Sequence, residues 1–127
     1  MSVSYTYDSK NNLVYVCPLD VVHSHDIENT LNHLCQDNNI SNGVVNIVDL
    51  KGLSDFALAQ DEAETIHAEF SRYSAAKFVQ AHIVVAYDDY HRGVAEMMKK
   101  VIGETMECHI VESRNDAEKL ASSLMGD

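Results

Sequence analysis

The chain has 127 residues, 46% of them hydrophobic, which is enough for the core of a single domain spanning residues 1–127. It carries 20 Asp and Glu against 9 Lys and Arg, a formal net charge of −11 at pH 7. Because nucleic-acid binding depends on basic residues that displace counterions from phosphates, this charge excludes nucleic acid and anionic membranes as expected partners and favours a partner with a basic face.

The first segment predicts a β-hairpin. Val3, Tyr5 and Tyr7 alternate with serine and threonine, and a second apolar run extends over residues 13–17. The turn residues Asp-Ser-Lys-Asn-Asn lie between the two runs. Pro18 has no backbone N–H to donate, so we expect the second strand to end there.

A first helix is predicted from Ser24, which we interpret as its N-cap, to the polar stretch before Gly43. Its apolar residues recur at helical spacing, and they are Ile27, Leu31, Leu34 and Cys35. Asp26 and Glu28 fall in the first turn, where a carboxylate complements the positive end of the helix dipole.

Residues 44–50 are nearly all apolar, which is typical of a strand that is covered on both faces of a sheet. Ser54 and Asp55 follow as candidate caps of a second helix. The apolar stripe of that helix is expected to comprise Phe56, Ala59, Ala63, Ile66, Phe70 and Tyr73.

The alternation of strand and helix continues to the end of the chain. Strands are predicted over residues 82–87 and 107–111, and a helix over 94–102 that Gly103 terminates. Asn115, with Glu118 three residues later, resembles a capping arrangement for a last helix. The predicted order is ββαβαβαβα, which indicates an α/β fold whose mixed sheet has parallel later strands and helices packed on it.

These segments together resemble the SpoIIAA-like branch of the STAS (anti-sigma factor antagonist) superfamily. The resemblance rests on the hairpin entry and on five stretches: Val-Asp-Leu-Lys-Gly-Leu at 48–53, Ala-His-Ile-Val-Val-Ala at 81–86, Arg-Gly-Val-Ala-Glu-Met at 92–97, Glu-Cys-His-Ile-Val at 107–111, and Asp-Ala-Glu-Lys-Leu-Ala at 116–121. It covers nearly the whole chain and implies a STAS-like single domain.

The resemblance also implies a candidate switch. In phosphoregulated members a serine at the start of the second helix is phosphorylated by a partner kinase, and aligning that loop from Asp49 brings the serine position to Leu58. Leucine accepts no phosphate, so we expect the serine switch to be missing. Ser54 is the nearest hydroxyl, and it is interpreted either as a helix cap or as a displaced phosphorylation site.

Carboxylates stand at the ends of the predicted parallel strands. Asp49, Asp88, Asp89 and Glu112 would share one edge of the sheet, where they could hold Mg²⁺ or make Asp49 a phosphoacceptor. Helix capping is the favoured interpretation of Asp88 and Asp89. A receiver-type site would also need a lysine after the last strand, whereas this chain has Glu-Ser-Arg-Asn at 112–115.

Histidine and cysteine offer two further hypotheses. His23, His25, His33 and Cys35 lie close in sequence, but they form no CxxC or HxxxH unit, and residues two apart on a helix point to different sides. The three cysteines, Cys17, Cys35 and Cys108, are odd in number and widely spaced. We expect no metal site, no cofactor and free thiols. We also expect a cytoplasmic location, since the amino terminus lacks a basic region with an apolar run and no apolar segment approaches the roughly 18 residues of a membrane span.

The loop at 87–93, Tyr-Asp-Asp-Tyr-His-Arg-Gly, is the most promising recognition element. Tyr87, Asp88, Tyr90 and Arg92 would offer stacking and charge-assisted hydrogen bonds at a junction between strand and helix. A salt bridge from Arg92 to Asp88 or Asp89 is the alternative interpretation.

Two classes of function follow. The first is a non-catalytic binding or regulatory module that recognises a protein partner or a small or lipid-like ligand at the carboxyl edge of the sheet. Its candidate site residues are Asp49, Ser54, Phe56, Tyr87, Asp88, Tyr90 and Arg92. The second is a phosphoacceptor or Mg²⁺-dependent site built on Asp49 with Asp88 or Asp89. We favour the first because binding needs only shape and a few polar groups, whereas each catalytic scheme lacks a required component. A homodimer is an open alternative.

Overall fold

The computed structural model describes residues 2–57, 60–103 and 106–126, and all structural statements below concern these residues. The strands are β1 (Val3–Asp8), β2 (Leu13–Pro18), β3 (Asp20–His23), β4 (Val45–Asp49), β5 (Leu53–Ala57), β6 (Ala81–Val85) and β7 (Cys108–Val111). The helices are α1 (Ser24–Gln36), α2 (Ala63–Lys77), α3 (Asp89–Ile102) and α4 (Arg114–Leu124), with a short 3₁₀ turn at Gln60–Glu62 before α2.

The main sheet has five strands in the order β1-β2-β4-β6-β7. β1 and β2 form the predicted antiparallel hairpin, and β2, β4, β6 and β7 are parallel to one another. The α/β fold class with a mixed sheet is therefore confirmed. Because the parallel strands run in the same direction, the segments that follow them emerge at one edge, which we call the carboxyl edge.

Helices cover both faces of this sheet, as the nearly all-apolar strands require. Side chains alternate along β4, so that Val48 faces α1, α2 and α3 while Ile47 faces α4. The three-helix side contains the larger core, with Leu34, Phe70 and Met98 among its buried residues. The α4 side is closed mainly by Ala117 and Ala121, whose small side chains let the helix lie close to the sheet.

A second, two-stranded parallel sheet of β3 and β5 was not predicted. Its presence corrects the interpretation of residues 53–57 as the approach to a helix. Ser54 and Asp55 lie in β5 and cap no helix, and Phe56 belongs to this strand because α2 begins only at Ala63. The predicted positions Leu58 and Ala59 lie outside the described residues.

Two predicted helix caps are also wrong by one or two positions. The N-cap of α1 is His23, whose backbone N–H donates to Asp26 Oδ2 at 2.9 Å, and Ser24 is the first helical residue. The N-cap of α4 is Ser113, whose hydroxyl accepts from the backbone N–H of Asp116 at 3.1 Å, in place of Asn115. The interpretation of Asp88 as a cap and of Gly103 as a terminator is confirmed, the latter with φ of +88°.

Candidate functional site

Five of the predicted site residues lie at the carboxyl edge. Asp49 ends β4, Tyr87 and Asp88 follow β6, and Tyr90 and Arg92 lie at the start of α3. The strand register places Asp49 beside Val85 and Val85 beside Val111, so residues far apart in sequence meet along this edge. The expectation of a common edge is confirmed, and the role of these residues in recognition remains a prediction.

Strand β5 and the first turn of α3 are joined by hydrogen bonds. The hydroxyl of Tyr90 donates to Asp55 Oδ1 at 2.8 Å and accepts from the backbone N–H of Phe56 at 2.8 Å. His91 is buried, and its Nε2 lies 2.9 Å from the carbonyl oxygen of Leu53. These contacts, which we call the α3–β5 clasp, fix β5 against the first turn of α3.

His91 also connects the clasp to Tyr87. Its Nδ1 accepts from the backbone N–H of Tyr87 at 3.4 Å, so the ring proton is assigned to Nε2, which donates to Leu53. The rings of Tyr87 and Tyr90 lie 6.1 and 6.3 Å from the His91 ring, centroid to centroid. The two tyrosines therefore flank one buried histidine.

Exposed apolar side chains are concentrated at this edge. Leu19 is 54% exposed and Val21 45%, while Tyr87 and Tyr90 are 40% and 45% exposed. Leu19 lies against Gly52 in the loop after β4, and Val21 is the register partner of Asp55, whose carboxylate accepts from the Tyr90 hydroxyl. We call Leu19, Val21, Tyr87 and Tyr90 the rim patch.

The charges around the rim patch are mainly acidic. Exposed carboxylates surround it, namely Asp20, Asp55, Asp88, Asp89 and Glu112. The predicted salt bridge from Arg92 to Asp88 or Asp89 is wrong, because Arg92 Nη2 lies 3.2 Å from Glu112 Oε1. Asp88 instead accepts the His91 backbone N–H at 2.8 Å as the helix cap.

Asp49 lies on the α4 side of the sheet, next to Tyr87 of the rim patch. This buried carboxylate accepts the Lys51 backbone N–H through Oδ1 at 3.0 Å, and its Oδ2 lies 3.5 Å from Arg114. The Arg114 guanidinium also stacks on the Tyr15 ring, 4.1 Å from the centroid. Partial burial and then the neighbouring Asp49 carboxylate raise the pKa of Tyr87 to about 12.

Among the described residues, no three His, Cys, Asp or Glu side chains are grouped so that they could hold a metal ion. His23 and His25 stack with parallel rings at the start of α1, and His33 is exposed on the same helix. Partial or full burial raises the pKa of all three thiols, that of Cys108 to about 11, which is the setting of an unreactive cysteine.

Four further spaces lie away from the rim patch, and two of them are small. A surface cleft of about 220 Å³ runs between α4 and the β1–β2 turn, with Tyr15, Glu118 and Met125 in its lining. An enclosed apolar space of about 20 Å³ lies between the sheet and the helices, near Thr30, Asn46 and Phe70. Typical ligand pockets measure roughly 300–1,000 Å³, so these two spaces are too small for a lipid-like molecule. Two larger depressions, of about 580 and 600 Å³, adjoin Lys100 and Gly103 at the end of α3. Both are broad and open to solvent, whereas a ligand pocket encloses most of the surface of its ligand.

Sequence reasoning missed several residues of this edge. Leu19 and Val21 were not singled out because β3 was not predicted, although an apolar pair between Pro18 and Ser24 was a visible signal. His91 was included only as part of its loop, and its burial depends on contacts with β5, which local sequence does not encode. Within the described residues, every helix falls short of the length and apolar character that a bilayer crossing requires.

Comparison with known proteins gives structural matches only. No protein-family model matches the chain, and neither does any curated protein. The anti-sigma factor antagonist SpoIIAA in its unphosphorylated form matches with a TM-score of 0.57 at 9% identity, over 98% of this chain and 99% of that one. An uncharacterized protein of the DUF3478 family with a SpoIIAA-like fold, from Shewanella loihica PV-4, matches with a TM-score of 0.57 at 10% identity, over 94% of this chain and 91% of that one. The chain therefore has a SpoIIAA-like, STAS-type fold.

Proposed function

We propose that this protein is a non-catalytic regulatory module whose rim patch binds a protein partner with a basic face. The observation that carries the proposal is the α3–β5 clasp. Tyr90 and His91 bind three polar groups of β5, so that Tyr90 is held against the strand with which Val21 pairs. A preorganised surface of this kind loses little conformational freedom on binding, which favours affinity.

The composition of the edge supports a protein as the partner. Aromatic and aliphatic side chains form the rim patch and charged side chains surround it, which is the usual arrangement of a protein interface. The acidic surroundings and the net charge of −11 favour association with a basic surface. The similarity to SpoIIAA, an anti-sigma factor antagonist, is consistent with a regulatory role of this type.

The alternative, a phosphoacceptor at Asp49, has less support. Both oxygens of this buried carboxylate already face cationic or N–H groups, namely Arg114 and the backbone of Lys51. Asp88 caps α3, so it is engaged in a structural role. A catalytic carboxylate needs an accessible oxygen and a metal or base within reach. We therefore propose that this edge serves recognition and not phosphoryl transfer.

We also propose that the protein is located in the cytoplasm, because its three cysteine thiols are free.

The test is quantitative affinity capture from extracts of the native cells. Tagged wild-type protein is compared with the double variant Leu19→Gln, Val21→Gln, which removes exposed apolar groups without touching the core. The matched control is Phe78→Asn, which removes an even more exposed apolar side chain, 67% exposed, at the end of α2. Phe78 has φ of +49°, a conformation that asparagine tolerates better than phenylalanine, so the control variant is expected to fold normally.

A protein that is retained by the wild type and by Phe78→Asn, and lost at least tenfold by the rim variant, would support the proposal. Native mass spectrometry of the purified wild type is run in parallel. A small molecule that co-purifies in stoichiometric amount, with no protein partner dependent on the rim patch, would contradict it.

A further inference from the structure

The β3–β5 sheet has one outer edge that no strand covers in the described part of the chain. β3 pairs with β5 alone, and the sheet contains only these two strands. The other outer edge, that of β5, is occupied by α3, because the Phe56 N–H donates to Tyr90 and the Leu53 carbonyl faces His91. The outer edge of β3 is therefore the one that another strand could join.

The hydrogen bonds identify which residue of β3 presents its backbone there. Along a strand, the N–H and C=O of one residue point to the same side, and successive residues alternate. Phe56 directs its N–H away from β3, so its register partner Val22 directs its own groups toward β5. The N–H of His23 donates to Asp26, on the side away from β5. By alternation, the N–H and C=O of Val21 face outward.

The surroundings of Val21 suit an added strand of limited length. The side chains of Leu19 and Val21 are both about half exposed and would contact the side chains of a neighbouring strand. Asp20 has φ of +56°, and a register irregularity separates it from Val21. The extra residue is Ser54 of β5, and on β3 it is the positive φ of Asp20 that limits the regular edge to residues 21–23. A short edge is typical of strands that must not pair indiscriminately.

The acidic charge of this surface determines which kind of segment can pair with β3. Two copies of this chain would bring together net charges of −11 each, with Asp20 of each copy at the paired edges. Asp55 lies one strand further in, on β5, about 10 Å from an added strand, a distance that a lysine or arginine side chain spans. Like charges facing one another across paired strands are destabilising, so a second copy is disfavoured. Lysine or arginine on the added strand would meet both carboxylates favourably.

We infer that the partner supplies an extended basic segment, which pairs with β3 through the backbone of Val21 and forms the third strand of this small sheet. This inference rests on the proposed function and specifies its mode of recognition. Backbone hydrogen bonds to Val21 provide the register, apolar side chains contact Leu19 and Val21, and basic side chains contact Asp20 and Asp55.

The experiment uses defined peptides and the full chain. Three peptides are titrated into isotope-labelled protein at low salt, and amide shifts are followed by NMR. The first has alternating lysine and valine, the second has glutamate in place of each lysine, and the third is the lysine peptide with every backbone nitrogen methylated. We expect the lysine peptide to shift the amides of residues 19–23, and the other two peptides to bind at least tenfold more weakly.

The double variant Asp20→Asn, Asp55→Asn is compared with the wild type to measure how much these two charges contribute to peptide binding. Asparagine tolerates the positive φ of residue 20 and can still accept from Tyr90 at residue 55, so the fold is retained. We expect this variant to bind the lysine peptide about fivefold more weakly, by the loss of two exposed charge contacts.

Equal binding of the methylated and unmethylated peptides would overturn the inference, and so would dimerisation of the wild type through residues 19–23. Partner binding at the rim patch and strand addition at β3 can be refuted independently of one another. If affinity capture finds a partner that depends on the rim patch, but the peptides shift no amide of β3, then the proposed function stands and strand addition is wrong.

Discussion

The buried histidine His82 gives the sharpest prediction of stability. It is 1% exposed in β6, where its Nδ1 lies 3.1 Å from Asn46 Nδ2 and its Nε2 lies 3.0 Å from Ser74 Oγ. The Tyr73 hydroxyl donates to Asn46 Oδ1, which leaves the amide nitrogen of Asn46 to donate to Nδ1. The network therefore assigns a neutral ring with its proton on Nε2.

Burial away from water lowers the pKa of His82 from 6.5 to about 4. The unfolded chain binds a proton here below pH 6.5, whereas the folded chain does so only near pH 4. The stability contributed by the neutral ring is thus fully present above pH 6.5 and is lost as the pH falls toward 4. One pKa unit corresponds to about 1.4 kcal/mol, so the loss is about 3 kcal/mol over this interval.

The assay is urea unfolding of the wild type, His82→Gln and the control His33→Gln, each near pH 7.5 and near pH 4.5. Between pH 7.5 and pH 4.5, the free energy of unfolding of the wild type and of His33→Gln should fall by about 2 to 3 kcal/mol more than that of His82→Gln. All three proteins have the same carboxylates, so the contribution of the carboxylates to the pH dependence cancels in this comparison. His33 is exposed on α1, so His33→Gln serves as the control in which a histidine outside the core is replaced. An NMR titration of His82 in the folded wild type provides a second readout. A midpoint near pH 6.5, or equal pH dependence of the three proteins, would refute the reasoning.

Three further predictions concern the edge of the sheet and its supports. Tyr90→Phe should raise the exchange rate of the Phe56 amide about fivefold to tenfold, measured by hydrogen exchange, since this N–H loses its acceptor; an unchanged rate would argue against the clasp. Ser113→Ala should lower the free energy of unfolding by about 1 kcal/mol, while Asn115→Ala changes it little, and the reverse order in urea unfolding would contradict the assigned cap. Incubation with acetyl phosphate and Mg²⁺ should leave Asp49 unlabelled by mass spectrometry, and stoichiometric labelling would favour the phosphoacceptor alternative.

The main sheet and its helices were predictable because their signals are local. Long apolar strands such as Val45–Asp49 alternate with helices whose apolar residues recur with the helical period, and parallel strands joined by helices leave few arrangements. The resemblance to STAS proteins indicated the same fold from the order and spacing of segments. The common edge at Asp49 and Asp88 followed from strand direction alone.

The β3–β5 sheet could not be predicted in the same way. Each strand has only four or five residues, and their pairing joins segments more than 30 positions apart. Leu53–Ala57 contains serine and aspartate, which locally favour a helix start, and tertiary contacts with Tyr90 and His91 override that preference. Four site predictions were affected by this sheet, those for Ser54, Phe56, Tyr87 and Tyr90, since their surroundings depend on it.

The central claim, that the rim patch is the recognition surface, is tested most directly by hydrogen exchange on the complex with the captured partner. Protection on binding should fall on residues 19–23, 53–57 and 87–91, with no change at Phe78 or along the cleft between α4 and the β1–β2 turn. Protection confined to that cleft, or to the end of α2, would contradict the claim.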